Sequence, residues 1–380
     1  MRCPRCLNTD PEFFYKGSRG WYCRKCISFG RMMLEEDLHP QKLNAVSDGS
    51  QEYILQYPLT PAQAKAALTC AEEIDHGDVL MNCCCGSGKT EIVVLSIAKR
   101  LKEKKKVCFA IPRRQVVLEL RERLAGYFPN ASVVAVCGGH TDVTDGDLII
   151  CTCHQLFRYL NCFDLLILDE PDAFPFRGSA VLHGIAKTAC IGQTIYLTAT
   201  PDATMKRAVS SGTMKEVKLS RRPHGHDLPV PKIVTAPVPI LFLVLLRWIG
   251  THHGPRMIFV PTIAGAHLLH AVLKRLMKCL VVTSNSPDRD EVIESFRTDP
   301  AGLIVTTTVM ERGVTIPGVD ICVFHADHSV FDEASLIQMA GRAGRTFQFP
   351  DGDVLFLQTG RSELTERCRR TIQEANACDA

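Results

Sequence analysis

The run Gly86-Ser87-Gly88-Lys89-Thr90 lies between an apolar stretch at 78–83 and a helical pattern at 91–101, and it limits what this chain can fold into. Closely spaced glycines let consecutive backbone N–H groups turn inward around an anion. A helix starting at the same point adds the positive end of its dipole. Such a loop needs a buried strand before it and a helix after it, so the segment predicts βα units on a parallel sheet. Lys89 is placed to reach the terminal phosphates and Thr90 to hold Mg2+, with Gly86, Ser87 and Gly88 wrapping the anion. The ligand implied is a nucleoside triphosphate.

Further apolar runs bounded by turn residues predict strands at 106–111, 147–152, 165–169 and 194–198. A second series follows at 257–260, 280–283, 303–306, 321–324 and 354–357. Strands this apolar are covered on both faces, as in parallel sheets flanked by helices. Between the series, Arg221-Arg222-Pro223-His224-Gly225-His226-Asp227-Leu228-Pro229-Val230-Pro231 is too rich in proline for regular structure and reads as a linker. The expected class is α/β: two tandem lobes at 51–222 and 223–380, preceded by a small module and connector at 1–50. A chain of 380 residues has room for this, and its net charge of +3 leaves any polyanion to local patches. No apolar segment approaches bilayer length, and no apolar core follows Met1-Arg2-Cys3-Pro4 as in a signal peptide, so the expectation is a cytoplasmic protein.

The hydrolytic groups come from two further places. Leu166-Ile167-Leu168-Asp169-Glu170-Pro171-Asp172 is a strand ending in carboxylates; Asp169 suits Mg2+ and Glu170 suits activation of a water. In the second lobe, Gln338-Met339-Ala340-Gly341-Arg342-Ala343-Gly344-Arg345 repeats arginine after glycine. Arg342 and Arg345, with Gln338, are candidates to stabilise charge on a transferring phosphoryl group. Arginines delivered from a second lobe would make ATP the element that closes a cleft.

Eighteen cysteines in a reducing compartment do not form a disulfide framework. Most stand singly in apolar strands and read as small buried side chains. Cys3, Cys6, Cys23 and Cys26 differ: two C-x2-C pairs flank two aromatic strands and a glycine turn, the pattern of a four-thiolate zinc ribbon. Residues 1–31 carry seven basic side chains against two acidic ones, interleaved with Phe, Tyr and Trp. That mixture suits single-stranded nucleic acid, whereas a ribbon docked on the main body or on a partner is the competing reading. The adjacent Cys83, Cys84 and Cys85 cannot converge on one tetrahedral ion, because successive side chains on a strand point to opposite faces.

Together these motifs resemble the superfamily 2 helicases and translocases from about Leu59 to Gly360, which implies RecA-like lobes. Walker A falls on 86–90, the DExD segment on 169–172, motif III on Thr198-Ala199-Thr200 and motif VI on 338–345. Leu59-Thr60-Pro61-Ala62-Gln63 is similar to the adenine-reading segment, with Gln63 as the reader. Arg113 and Arg114, and Thr152, His154 and Gln155, resemble strand-gripping motifs of the first lobe. Pro261 and Thr262 resemble their counterpart in the second, and Thr307, Thr308 and Arg312 fall in motif V. The DEPDAFPF run, the RRPHGH linker, the TTVMERGVTIP run and the N-terminal cysteines resemble more narrowly the ComFA family of late-competence DNA-uptake ATPases.

That resemblance implies an ATP-driven translocase on single-stranded DNA, drawing transforming DNA through a membrane channel beside a phosphoribosyltransferase-like partner. Its place would be the cytoplasm, at the inner face of the membrane, with the oligomeric state left open. Two departures stand out: the first cysteine follows Met1 by one residue, without an extension seen in the family, and Pro171 removes a backbone donor in the DExD segment. Competing readings are a replication-restart or repair helicase, an RNA helicase and a nucleotide-dependent clamp. The clamp would need dead catalytic positions, and Lys89, Asp169, Glu170, Arg342 and Arg345 are all present.

Overall fold

The computed structural model describes residues 1–35, 41–311 and 315–377. The chain forms two compact units, one comprising Met1–Cys83 with Gly88–Leu219, the other Cys84–Ser87 with Ser220–Ala380. The first unit opens with an antiparallel sheet of β1 (Phe14–Gly17), β2 (Gly20–Cys23) and β3 (Met32–Met33). The turn at 18–19 closes β1 onto β2 with Phe14 opposite Cys23, the hairpin the sequence predicts.

A seven-stranded parallel sheet follows, in the order β10-β4-β9-β8-β5-β7-β6. Its strands are β4 (Asp78–Cys83), β5 (Val107–Ile111), β6 (Val133–Val136), β7 (Leu148–Thr152), β8 (Phe163–Asp169), β9 (Cys190–Thr198) and β10 (Met214–Leu219). Helices α1 (Pro61–Glu73), α2 (Lys89–Lys102), α3 (Arg114–Tyr127), α4 (Ala180–Ala189) and α5 (Ala203–Ser210) belong to the same unit. Every residue of β5 and β7 is buried, because helices cover both faces. Withdrawing each large apolar side chain from water contributes about 1.5–3 kcal/mol. The sequence reading places β4, β5, β7, β8 and β9 but not β6 or β10. Those two are the sheet's edges, and β10, Met-Lys-Glu-Val-Lys-Leu, breaks its apolar run with Lys215, Glu216 and Lys218, of which both lysines are exposed.

The N-terminal module docks on this lobe. One buried cluster joins the four cysteines and Phe14 to Leu156, Phe163, Phe176, Leu182 and Ile185. The approach is closest at Gly184 of α4, where a Cβ would stand 2.0 Å from the carbonyl oxygen of Cys6. Only a glycine leaves room for that backbone. Thr188, one turn on, donates from its hydroxyl to the Arg5 carbonyl at 2.8 Å. The connector is held as well: Asp147 accepts from Ser47 N–H at 2.9 Å and from Ser132 N–H at 2.8 Å.

The second unit has a six-stranded parallel sheet in the order β11-β16-β15-β12-β14-β13. These are β11 (Lys232–Thr235), β12 (Arg256–Phe259), β13 (Leu280–Val282), β14 (Leu303–Thr306), β15 (Asp320–Phe324) and β16 (Val354–Gln358). Its helices are α6 (Val238–Thr251), α7 (Ile263–Leu273), α8 (Arg289–Thr298), α9 (Glu333–Ala340) and α10 (Glu363–Ala377). Met257, Phe259, Ile304, Ile321, Val323 and Phe356 form the centre of one face of its core. Only β11 escapes the sequence reading; it is a short edge strand at the linker's end.

If the contact at Gly184 docks the N-terminal module, Gly184→Ala should loosen it without unfolding the module. Hydrogen exchange should rise in α4 and in residues 3–8, while bound metal stays at the wild-type level. Unchanged exchange would show that the contact is not limiting.

Candidate functional site

The functional side chains of the first lobe leave the carboxyl ends of parallel strands, where open α/β sheets place ligands. After β4, Gly86 and Gly88 take the left-handed conformation, with φ of +83° and +80°. Gly88 is the N-cap of α2, which starts at Lys89 and offers its N-terminal amides toward the loop. Gln63, the third residue of α1, completes a capping box: its N–H donates to Thr60 Oγ1 at 3.3 Å and its Oε1 accepts from Thr60 N–H at 3.0 Å. The side chain is buried, and a Cβ on Gly88 would come within 2.5 Å of its Nε2. Gln63 therefore lies against the glycine loop at Gly88, with its carboxamide oxygen already engaged by the cap.

Thr90 Oγ1 accepts from Arg123 Nη2 at 3.0 Å, and Glu91 Oε1 accepts from Tyr127 OH at 3.0 Å. Both partners come from α3, and the sequence reading missed them. A divalent cation on Thr90 must share that oxygen with a guanidinium or displace it. Asp169 ends β8, and Glu170 follows with φ +52°, a left-handed conformation uncommon for a residue with a Cβ. Glu170 N–H donates to Leu197 on β9 at 2.9 Å, and Ala173 N–H donates to the Glu170 carbonyl at 3.1 Å. This turn forms without the amide that Pro171 lacks.

Asp172 is the hub of this corner. Its Oδ1 accepts from Thr198 Oγ1 at 2.5 Å and its Oδ2 from Thr200 Oγ1 at 2.7 Å, while Thr200 N–H donates to Thr198 Oγ1 at 2.9 Å. The acid segment after β8 is thus fastened to the threonine segment after β9. Of the strand-gripping candidates, Arg113 occupies the position before the first residue of α3 and Arg114 donates to the Gly138 carbonyl at 2.7 Å. Thr152 is buried at the end of β7. His154 and Gln155 lie on the 3-10 turn Cys153–Arg158, where Gln155 accepts from Arg158 and the His154 ring stacks on Phe29 with centroids 6.2 Å apart.

In the second unit, Pro261 and Thr262 follow β12, with Thr262 Oγ1 capping α7 by accepting from Gly265 N–H at 3.0 Å. Thr307 and Thr308 follow β14; Arg312 lies outside the described residues. Gln338 is buried on α9. Arg342, also buried, donates from Nε to the Glu311 carbonyl at 2.9 Å, and Arg345 does the same to Gly341 at 2.9 Å. In this unit, sequence reasoning missed the role of Arg222 of the linker. Its guanidinium, 2% exposed, donates to the carbonyls of Ala343 at 2.7 Å, Gly341 at 2.9 Å and Gly344. Burial and then the Arg345 charge lower its pKa to about 10, so it stays charged at neutral pH. His224 Nε2 meets the Gly344 carbonyl at 3.1 Å. The RRPHGH run is therefore a clasp on the Gly341–Gly344 turn as well as a linker.

Cys3, Cys6, Cys23 and Cys26 are all buried, with their sulfurs within 4.8 Å of one another. Cys3 and Cys26 stand 3.8 Å apart, as do Cys6 and Cys23. Four sulfurs bonded to zinc at about 2.3 Å set tetrahedron edges of about 3.8 Å, so the cluster fits such an ion. Arg5 donates to Cys26 Sγ at 3.2 Å and to the carbonyls of Cys26, Phe29 and Gly30, which orients the ligand and offsets thiolate charge. Elsewhere burial pushes thiols up, Cys70 and Cys279 to about 12 and Cys190 to about 11, as expected of inert core residues.

Residues 56–203 match the family model described as type III restriction enzyme, res subunit, and residues 242–347 match the helicase conserved C-terminal domain. Competence protein ComFA of Bacillus subtilis is 34% identical over 399 residues, spanning 99% of this chain and 85% of that protein. ComFA of Streptococcus pneumoniae is 32% identical, spanning 98% and 90%. Among solved structures, Mycobacterium smegmatis helicase Lhr bound to ssDNA and AMP-PNP aligns with a TM-score of 0.62 at 20% identity, covering 84% of this chain and 48% of that one, which supports the fold. No helix among the described residues is long and apolar enough to cross a membrane. With two parallel-sheet lobes, a four-cysteine module and this degree of identity over nearly its full length, the chain belongs to the ComFA family of competence proteins and carries superfamily 2 helicase-like ATPase lobes.

Proposed function

We propose that this chain hydrolyses ATP to move along single-stranded DNA, and so drives uptake of transforming DNA. The observation that carries the reading is the fastening of Asp172 to Thr198 and Thr200, which ties the acid turn after β8 to a segment superfamily relatives use to couple hydrolysis to movement. In this reading Gly86, Ser87, Gly88 and Lys89 hold the phosphates, and Thr90 and Asp169 hold Mg2+. Glu170 orients the attacking water, while Gln338, Arg342 and Arg345 stabilise the charge that develops. Gln63 senses the adenine. Arg113, Arg114, Thr152, His154, Gln155, Pro261, Thr262, Thr307 and Thr308 contact the strand, and Arg312 is assigned to it by its place in the motif alone. The four-cysteine cluster holds zinc, and the ion keeps the small module folded.

The primary test compares ATP turnover with single-stranded DNA, duplex DNA and RNA at one salt concentration, since phosphate contacts make affinity salt-dependent. Stimulation by single-stranded DNA above the others is expected; equal turnover with and without nucleic acid would sink the reading. Lys89→Ala should abolish nucleotide binding, and Glu170→Gln should bind ATP but turn it over at least about a hundredfold more slowly. A Glu170→Gln protein with full turnover would remove Glu170 from its role.

Arg222→Ala removes three carbonyl contacts from the turn between Gly341 and Gly344. It should lower kcat with little change in the ATP KM. Arg222→Lys should fail to restore it, because an ammonium cannot reproduce the planar fork. Chelation, checked by metal analysis and hydrogen exchange, should raise exchange in residues 3–26 and in α4 together, because the module and α4 share one core.

A further inference from the structure

Docking of the N-terminal module on the first lobe creates a cleft of about 960 Å³ whose walls come from both parts. Lys25 and Phe29 line it from the module; His154 and Phe157 from the turn after β7; Phe174 and Arg177 from the loop after the acid segment. Phe29 lies 5.5 Å from Phe157 and stacks on His154, so aromatic faces run continuously across the junction. Phe174 projects into solvent with 83% of its surface exposed, although four of its neighbours in the chain, at 172, 173, 175 and 176, are buried. An apolar ring held in water by a buried loop has a face to offer. The lining includes Lys25, Arg177 and His154 and contains no carboxylate. Elsewhere on the module, Arg24 and Arg31 lie over the Tyr15 and Tyr22 rings at 5.7 and 4.8 Å.

We infer that this cleft is a binding site for single-stranded nucleic acid, in which the module and the first lobe grip one strand together. The inference rests on the single-strand reading given above and extends it to residues outside the helicase motifs. Positive charge without a carboxylate suits the phosphate backbone, and aromatic faces suit unpaired bases, which stack without regard to sequence. The cleft is continuous with His154, so a strand held at the lobe's motif passes onto the module. Docking on the main body and gripping a strand are then one arrangement, since Lys25 and Phe29 reach the cleft only because the module is docked.

The test uses the full zinc-loaded chain and a fluorescent oligothymidylate, with affinity measured by anisotropy over a range of salt. Phe174→Ala should weaken binding about tenfold through loss of one stacked base. Lys25→Ala combined with Arg177→Ala should reduce the salt slope by about 1.4, the value for two lost single-strand phosphate contacts. ATP turnover without DNA should match the wild type in the Phe174→Ala protein. Photocrosslinking of the wild type to a bromodeoxyuridine oligonucleotide should label peptides containing Phe157 or Phe174, a readout independent of any substitution. Wild-type affinity and slope in the variants, with crosslinks only elsewhere, would overturn the cleft and leave it to a protein partner. A wild-type chain that binds no oligothymidylate at low salt would overturn the single-strand reading itself, and the cleft with it.

Discussion

The carboxylate of Asp172 holds the working end of the first lobe in shape. It is 7% exposed, and each oxygen accepts from a threonine hydroxyl that comes from the neighbouring strand. A buried carboxylate without partners would be costly; here Thr198 and Thr200 satisfy it, and a third bond, Thr200 N–H to Thr198 Oγ1, fixes the hydroxyl that donates. The turn at Glu170 depends on this. Its left-handed backbone is stabilised from both sides, by the Leu197 carbonyl and by the Asp172 pair. The turn that carries Glu170 and the segment after β9 therefore form one hydrogen-bonded corner.

The parts of the fold most legible in the sequence were those that had to be apolar. Buried strands such as 148–152 and 303–306 present hydrophobic side chains to both faces and declare themselves as unbroken runs. Edge strands do not: β10 and β11 carry lysines because part of their surface meets water. The glycine loop before α2, the strand-tip acids and the cysteine pairs stand out in the sequence because the chemistry proposed for them fixes residue type and spacing. What stayed hidden were partners that act through geometry. Arg123 at Thr90 and Arg222 at the Gly341–Gly344 turn are single arginines far away in sequence, each making bonds that no local pattern announces. Gln63 was read as an adenine contact, and its place in a capping box against Gly88 follows from Thr60-Pro61-Ala62-Gln63, a cap signal read there only as a motif.

The N-terminal module shows why two readings of one segment need not compete. So small a body has little apolar surface of its own to fold on; it shares a core with its neighbour, and its four cysteines fit an ion that would add to this. Its cysteine sulfurs set the tetrahedron, and its Phe14 joins a core continuous with Phe163 and Phe176. The contact at Gly184 leaves no slack, because backbone meets backbone. A module fixed this tightly presents its basic and aromatic residues at a constant position beside the lobe. Positions fixed by packing are what a strand-binding surface requires, since a mobile arm would lose part of each contact to ordering entropy.

Arg222 extends the same logic to the second lobe. An arginine this buried would be poorly placed if its only task were to link two domains, since a linker gains nothing from an expensive desolvated charge. The cost is offset by the carbonyls of Gly341, Ala343 and Gly344 in one turn, which converge on one guanidinium. That turn carries Arg342, whose own Nε is spent on the Glu311 carbonyl. Arg222 and Arg345, of like charge, stand close because both donate to the Gly341 carbonyl. The Arg345 charge contributes to lowering the Arg222 pKa, the electrostatic signature of that crowding. Clustering cations before any anion arrives favours a ligand of high negative charge, and a triphosphate is the ligand this family's lobes are built to meet.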